Sequence, residues 1–365
     1  MDRKKRVAII GTNGIPAKYG GFETLAHYLT KELSNSFDFT VYCSSIYKKN
    51  ERAKTYNNAK LIYLPLKANG AQSILYDTIS SFHAWFKSDV ILVLGPTVGF
   101  IYPLNFIFKR TLIINHGGLN EWEREKLSFI QKKYAYWSHK IAAKSANMNI
   151  ADNLQLAESL SQNFQVDSAI IEYGGDHIEQ KSIQNSDLEK YPFLNSFYDL
   201  SIARAQPDNN LHLLLETYSE LPDRNLVLIS NWEISEYGQN LKKKYLNRYP
   251  NIFIQDAIYN QSDLNVIRSN TSLYIHSHSQ CGTAPSLVEA MNYQIPVICF
   301  DVPTNRATTH NLSLYFNDKK TLFDLVSSIG ESKLSQIKSD LFKIAKKYYT
   351  WEIIATKYSD LFLSL

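Results

Sequence analysis

The chain has 365 residues, of which 44% are hydrophobic and 20% charged, and its formal net charge is +4. That length exceeds one ordinary core and implies two domains, while so mild a charge excludes a dedicated nucleic-acid binder. Three cysteines, Cys43, Cys281 and Cys299, are too scattered for a disulfide framework or a zinc site and suit a reducing, cytoplasmic setting.

The first residues, MDRKKR, run into VAIIG with no apolar leader core. Arg6–Ile10 reads as a strand, Phe22–Leu33 as a helix, and Phe39–Tyr42 and Leu61–Leu64 as strands. A helix near Ser73–Phe86 and the strand Val90–Leu94 follow. From Val90 to Phe108 there is no charge, about the length of a membrane span. Gly95-Pro96, Gly99 and Pro103 interrupt it, so a buried strand and then a short helix is the expectation. Thr111–Asn115 is a strand, Trp122 to Lys144 a long helix, and Met148–Ala151 a strand. A helix to Asn163 and the strand Ala169–Glu172 complete the first half. Strands alternating with helices in this way predict βαβ units and a parallel sheet covered on both faces.

Periodicity fails between His177 and Asn195, which reads as a linker. It then restarts with strands at Tyr198–Ala203, Leu226–Ile229, Ile252–Ile254, Leu273–Ile275 and Pro296–Phe300. Helices are expected over Asn209–Ser219, Pro285–Met291, Lys319–Ser328, Leu334–Lys347 and Trp351–Phe362.

Four sites combine chemistry with position. Gly11, Gly14, Gly20 and Gly21 lie between the first strand and its helix, where backbone N–H groups either approach an anion or merely form a turn. The spacing departs from GxGxxG, and no acidic residue ends the second strand, so a dinucleotide fingerprint is not met. In HSHSQCGTAPSLVEAM, Gly282 and Thr283 precede a helix that carries Glu289 one turn in, as a dipole partner or as an acceptor for ribose hydroxyls. Arg204 ends a strand where open α/β sheets bind ligands, and its fork suits a diphosphate, although a surface Arg can equally cap a loop. His116 ends TLIIN ahead of Gly117-Gly118, as a site residue or as a turn-stabilising His. His276 and His278 lack a third ligand nearby, and neither Asp-x-Asp nor GxSxG occurs, so a metal site and a serine nucleophile are not expected.

Taken together, GIPAKYGGFET, NHGGLNEWEREK, ARAQPDNN, HSQCGTAPSLVEAM and YTWE resemble the family-4 retaining glycosyltransferases of the GT-B fold. The bacterial polysaccharide subgroup, which includes dTDP-rhamnose-using rhamnosyltransferases, is the nearest pattern. The resemblance implies two Rossmann-like α/β domains facing across a cleft: 1–177 on the acceptor side, 178–348 for the nucleotide sugar, and 349–365 as a helix packing back on the first. It implies a transferase in capsule or cell-surface polysaccharide synthesis, taking a hexosyl or deoxyhexosyl group, with rhamnose a leading candidate. No cofactor or metal is required, and the acceptor is a glycan linked to polyprenyl diphosphate.

By the same resemblance His116 and Arg204 are catalytic, while Gly20, Gly21, Asn209, Gly282, Thr283 and Glu289 bind the donor. Lys18 and Trp122 fall on the acceptor side. Two positions depart from the pattern: Asn209 stands where many relatives have Lys, and Cys281 where they have the first Glu of a pair. Lys18 or Arg306 then become candidates for the missing positive charge. A non-catalytic nucleotide-sugar-binding subunit and a GT-B epimerase are the alternatives. Lys4, Lys5 and Arg6, the Trp122 region, and Phe100–Phe108 with Lys109 and Arg110 either meet anionic lipid, which would make a cytoplasmic protein peripheral at the inner face of the membrane, or are ordinary solvated and core features.

Overall fold

The computed structural model describes residues 3–18, 20–124 and 127–365. The chain forms two compact units, Met1–Tyr173 with Trp351–Leu365, and Gly174–Thr350.

In the first unit the elements run β1 (Arg6–Ile10), α1 (Gly21–Leu33), β2 (Asp38–Cys43), β3 (Thr55–Tyr56), β4 (Ala59–Tyr63), α2 (Ser73–Lys87) and β5 (Val90–Leu94). After these come α3 (Asn105–Phe108), β6 (Thr111–Asn115), α4 (Phe129–Ser145), β7 (Met148–Ala151), α5 (Leu154–Phe164) and β8 (Ser168–Ile170). They build a sheet of order β3-β4-β2-β1-β5-β6-β7-β8, parallel except for the β3–β4 pair. All five residues of β5 are buried, which is why VILVL shows no alternation: helices cover both faces. Sequence order reverses between β1 and β5, making the carboxyl ends of these strands the unit's switch point.

One helix is shorter than its periodicity predicts. Glu121–Glu123 forms a separate 3-10 turn, and α4 starts only at Phe129. Ser128 is the reason: its hydroxyl accepts from Gln131 N at 3.4 Å, and its own N–H donates to Gln131 Oε1 at 2.9 Å. That reciprocal box satisfies two helix-end donors and sets the start of the helix.

The second unit runs α6 (Asn185–Lys190), β9 (Asp199–Ile202), α7 (Leu211–Tyr218), β10 (Leu226–Ser230), α8 (Glu236–Tyr245), β11 (Ile252–Asp256) and α9 (Gln261–Ser269). It continues with β12 (Leu273–His276), α10 (Pro285–Asn292), β13 (Val297–Phe300), α11 (Pro303–Thr308), β14 (Leu314–Phe316), α12 (Lys319–Ser328) and α13 (Glu331–Tyr348). The sheet, all parallel, has the order β11-β10-β9-β12-β13-β14 and switches between β9 and β12. The stretch expected to lack periodic structure holds α6, whose start is boxed by Gln184 and Asp187. Helices α8, α9 and α11 were not foreseen: α8 and α9 are polar overall, and α11 spans only 6 residues.

The last helix, α14 (Trp351–Ser364), belongs to the first unit. Trp351 stacks on Tyr28 of α1 at 4.6 Å, Phe362 meets Phe37 and Phe39, and Tyr358 Oη accepts from Asn115 Nδ2 at 2.8 Å. Among the described residues no helix is long and apolar enough to cross a membrane.

Candidate functional site

In the second unit the loops after β9 and β12 flank the switch point, and hydrogen bonds stitch them together. Ser277 Oγ donates to Asn209 O at 2.6 Å, Asn210 Nδ2 to Ser277 O at 3.0 Å, and Ser279 N to Asp208 O at 2.9 Å. Arg204, Asn209, Gly282 and Thr283 all lie on these two loops.

Arg204 is exposed, and among the described residues no carboxylate pairs with it. The two other cations proposed to supply charge are committed elsewhere. Lys18 Nζ sits 2.5 Å from Glu51 Oε2, and Arg306 Nε lies 2.5 Å from Asp301 Oδ1. Asn209 is 5% exposed and its amide donates to Arg204 O at 2.7 Å. It therefore holds the loop that presents Arg204.

Gly282 and Thr283 are buried just before α10. The helix opens with Ala284 as its N-cap and Pro285 inside its first turn, and no side chain caps it. The helix dipole is positive at this end; Pro285 has no N–H and Leu287 N donates to Ala284 O at 3.0 Å, which leaves the Ser286 N–H as the donor of the first turn.

Glu289, on α10, is buried between a guanidinium and an imidazole. Its Oε2 is 2.8 Å from Arg268 Nη2 and its Oε1 is 3.1 Å from His177 Nε2. Burial alone would raise its pKa, but Arg268 and His177 outweigh that and hold the carboxyl below its ordinary range. Two lone-pair sites remain on the carboxylate after these bonds. His177 reaches it because Gly175 allows close approach: a Cβ there would lie 2.6 Å from the carbonyl carbon of Val288. Sequence reasoning missed both partners. The Gly174-Gly175 pair before His177 is a usable signal, whereas nothing in the sequence marks Arg268 as buried.

Cys281 occupies a polar nook, its Sγ 3.3 Å from Asn305 Oδ1, 3.7 Å from Thr304 Oγ1 and 4.0 Å from His276 Nε2. Among the described residues no group of three or more His, Cys, Asp or Glu could hold a metal ion. An open groove of ≈ 430 Å³ lies at the other end of the sheet, lined by Thr271, Ser272, Ile295 and Pro296 ahead of β12 and β13, with none of the loop residues above.

In the first unit the β1–α1 loop is built around Glu23, which is 7% exposed. Its Oε1 accepts from Asn13 N at 2.8 Å and Asn13 Nδ2 at 2.9 Å. Gly20, the N-cap of α1, has φ +116°, and a Cβ there would lie 2.1 Å from Glu23 Oε2, so only glycine fits. Gly21 begins the helix beside it.

His116 is turned inward. It is 1% exposed, with Nδ1 3.0 Å from His139 Nδ1 and Nε2 2.9 Å from Asn149 Oδ1. Asn149 Nδ2 donates to Ala143 O, so Oδ1 is the acceptor and His116 carries its proton on Nε2. Its Nδ1 then accepts from His139. Burial pushes His116 down to about 4 and His139 well below the usual histidine range, so both rings are neutral. With both nitrogens engaged, the ring fixes the turn after β6.

Trp122 is likewise internal. It is 3% exposed and packs its ring on Phe164 at 5.0 Å and His139 at 5.1 Å. Asp77 went unnoticed: it is 3% exposed on α2, one oxygen has no hydrogen-bond partner, and burial raises it to about 7.

These two parallel α/β units, each with a loop cluster at its switch point, define the GT-B glycosyltransferase fold. Sucrose-phosphate synthase from Thermosynechococcus elongatus superposes with a TM-score of 0.81 at 15% identity, covering 99% of each chain. Anabaena Alr3699/HepE, solved in complex with UDP and glucose, gives 0.74 at 15% identity over 99% of this chain and 100% of that one. Residues 4–176 match a family model described as a domain of unknown function, DUF1972. O-antigen chain mannosyltransferase RfbU of Salmonella typhimurium is 22% identical over 210 residues, 56% of this chain and 57% of that protein. The chain thus spans little more than half the length of this curated relative.

Proposed function

We propose that the protein transfers a hexosyl or deoxyhexosyl group from a nucleotide-diphosphate sugar to a glycan acceptor in cell-surface polysaccharide synthesis. The observation that carries this reading is Arg204, an exposed guanidinium with no carboxylate partner among the described residues, at the switch point beside the uncapped start of α10. The UDP in the Alr3699/HepE structures and the name of RfbU support the donor class and the glycan product.

In the reaction the bond from the anomeric carbon to the donor phosphate breaks, and a bond to the acceptor oxygen forms. The departing diphosphate gains charge, which Arg204 and the α10 amides stabilise in place of water. Glu289 takes the ribose hydroxyls on its two remaining acceptor sites. The motif resemblance supports transfer with retention and without a metal: the acceptor hydroxyl attacks on the leaving-group face and passes its proton to a donor phosphate oxygen. It also supports rhamnose as the first sugar to test and a polyprenyl-diphosphate-linked acceptor at the inner face of the membrane.

A second reading, a non-catalytic nucleotide-sugar-binding subunit, is favoured by Asn209 and Cys281 in place of charged residues. Thermal-shift measurements with dTDP-, UDP- and GDP-sugars identify the donor, because a ligand bound to the native state raises Tm. Release of nucleotide diphosphate on adding acceptor, unaffected by EDTA, supports the transferase. A thermal shift with no release for any acceptor supports the subunit, and no shift with any donor overturns both.

A further inference from the structure

In the first unit α2, the 3-10 turn Gly99–Leu104 with α3, and α4 cover the same face of the sheet. Tyr76, Trp85, Ile101, Tyr102 and Ala142 from these segments share one core with Ile91 and Ile114 of the strands. Their outward sides are not polar. On α2, Leu75, Ile79, Phe82 and Phe86 recur at helical spacing and are 38% to 66% exposed. On α4, Ile130 and Trp137 are 79% and 55% exposed, opposite the buried Ser138, His139 and Ala142. Between them stand Phe106 at 84% and Ile107 at 69%. Ring contacts make the surface continuous: Phe86 meets Phe108 at 5.2 Å and Phe100 meets Tyr134 at 6.5 Å. Stripes of this kind, facing water, mark an interaction surface.

The charge around it has one sign. Residues 73–88, 99–110 and 127–145 contain Lys87, Lys109, Arg110, Lys132, Lys133, Lys140 and Lys144, and apart from the buried Asp77 no Asp or Glu. None of these cations forms an ion pair among the described residues. Lys133 lies 4.4 Å over Phe129 and Lys140 5.1 Å over Trp137, so the lysine stems follow the apolar rings while their charges stay at the rim. The N-terminal cations are different: Arg6 is paired with Asp89 at 2.8 Å, and Lys5 donates to Phe362 O.

We propose that this face of α2, α3 and α4 docks on an anionic lipid bilayer, with Phe106, Ile107, Ile130 and Trp137 entering the interface and the lysines meeting the headgroups. A second copy of the chain is the poorer occupant, because a two-fold contact sets each patch against itself and opposes seven cations to seven. A bilayer supplies both an apolar layer and negative charge. This inference names a partner surface and does not rest on the transferase reading.

Co-sedimentation of the full chain with phosphatidylcholine vesicles, with and without phosphatidylglycerol, tests it. Binding is expected to the anionic vesicles and to fall as salt is raised. Phe106→Ser with Ile130→Ser, and separately Lys132→Glu with Lys133→Glu, are each expected to weaken partition on the order of tenfold or more. Phe106, Ile130 and Lys133 are exposed and Lys132 is half-buried without an ion pair among the described residues, so Tm and the donor-induced thermal shift stay as in the parent. Failure to sediment with either vesicle, or equal partition of parent and both variants, overturns the proposal. A dimer in analytical ultracentrifugation that the same substitutions disperse also overturns it, in favour of a contact between copies.

Discussion

The two switch points are built from similar parts and treat charge in opposite ways. At the first, His116 and His139 face inward and neutral, and Glu23 is occupied by Asn13. At the second, Arg204 is left exposed, while Glu289, buried on α10, is held below its ordinary range by Arg268 and His177. Burial accounts for the contrast: a desolvated histidine sheds its proton, whereas a desolvated carboxylate keeps its charge only where cations surround it. A loop can thus be held either by neutral hydrogen bonds or by a buried ion pair. Only the second arrangement here leaves a cation to spare.

Glu289→Ala is the harshest test of that contrast. It strands a buried guanidinium and is expected to cost about 3–5 kcal/mol in urea unfolding, with Glu289→Gln less severe. Arg204→Ala should leave the urea midpoint unchanged, since no partner is lost. In a donor-turnover assay it should lower kcat/KM about 10²–10³-fold; turnover near the parent value removes Arg204 from the chemistry.

Asp77→Asn sharpens the comparison from the first unit's side. An acid raised to about 7 when folded binds its proton more tightly in the native state. Its contribution is therefore complete below the unfolded value near 4 and is lost as pH rises through about 7. The Asn variant should gain on the order of 2 kcal/mol at pH 8 relative to the parent and nothing at pH 3. The histidines act with the opposite sign: their folded values are depressed, so their stability is present above about 6.5 and is lost as pH falls toward about 4. His116→Ala should cost about 1–3 kcal/mol through the unpaired Asn149 and His139. It should leave the affinity for the donor unaltered in calorimetry. A tenfold loss of donor affinity at full stability would return the ring to the sugar.

The alternation of apolar and amphipathic segments made the α/β class readable, because a sheet covered on both faces needs continuous apolar strands such as VILVL. The start of α4 was not readable from periodicity, which runs through Trp122, whereas the boundary depends on the hydroxyl of Ser128. On α2 periodicity points to the wrong side: Leu75, Ile79, Phe82 and Phe86 make the apolar stripe, and the core takes Tyr76, Ser80, Ala84 and Trp85 instead. Arg204, Gly282 and Thr283 could be placed at strand ends from the sequence. That their two loops are neighbours follows only from the strand order, which places β12 next to β9. Asn209 and Glu289 were found by position, while their bonding partners lie 5, 21 and 112 residues away, beyond any local pattern.

The return of α14 to the first unit has a consequence for the order of synthesis. The stacking partner of Tyr28, the hydroxyl that receives Asn115, and the phenyl ring against Phe37 and Phe39 all leave the ribosome after residues 174–350. Domains generally fold as they emerge, so the earlier-born unit waits, with one flank of α1 bare, until the later one has been made. A stop codon after Thr350 would therefore injure the half of the protein encoded furthest from it.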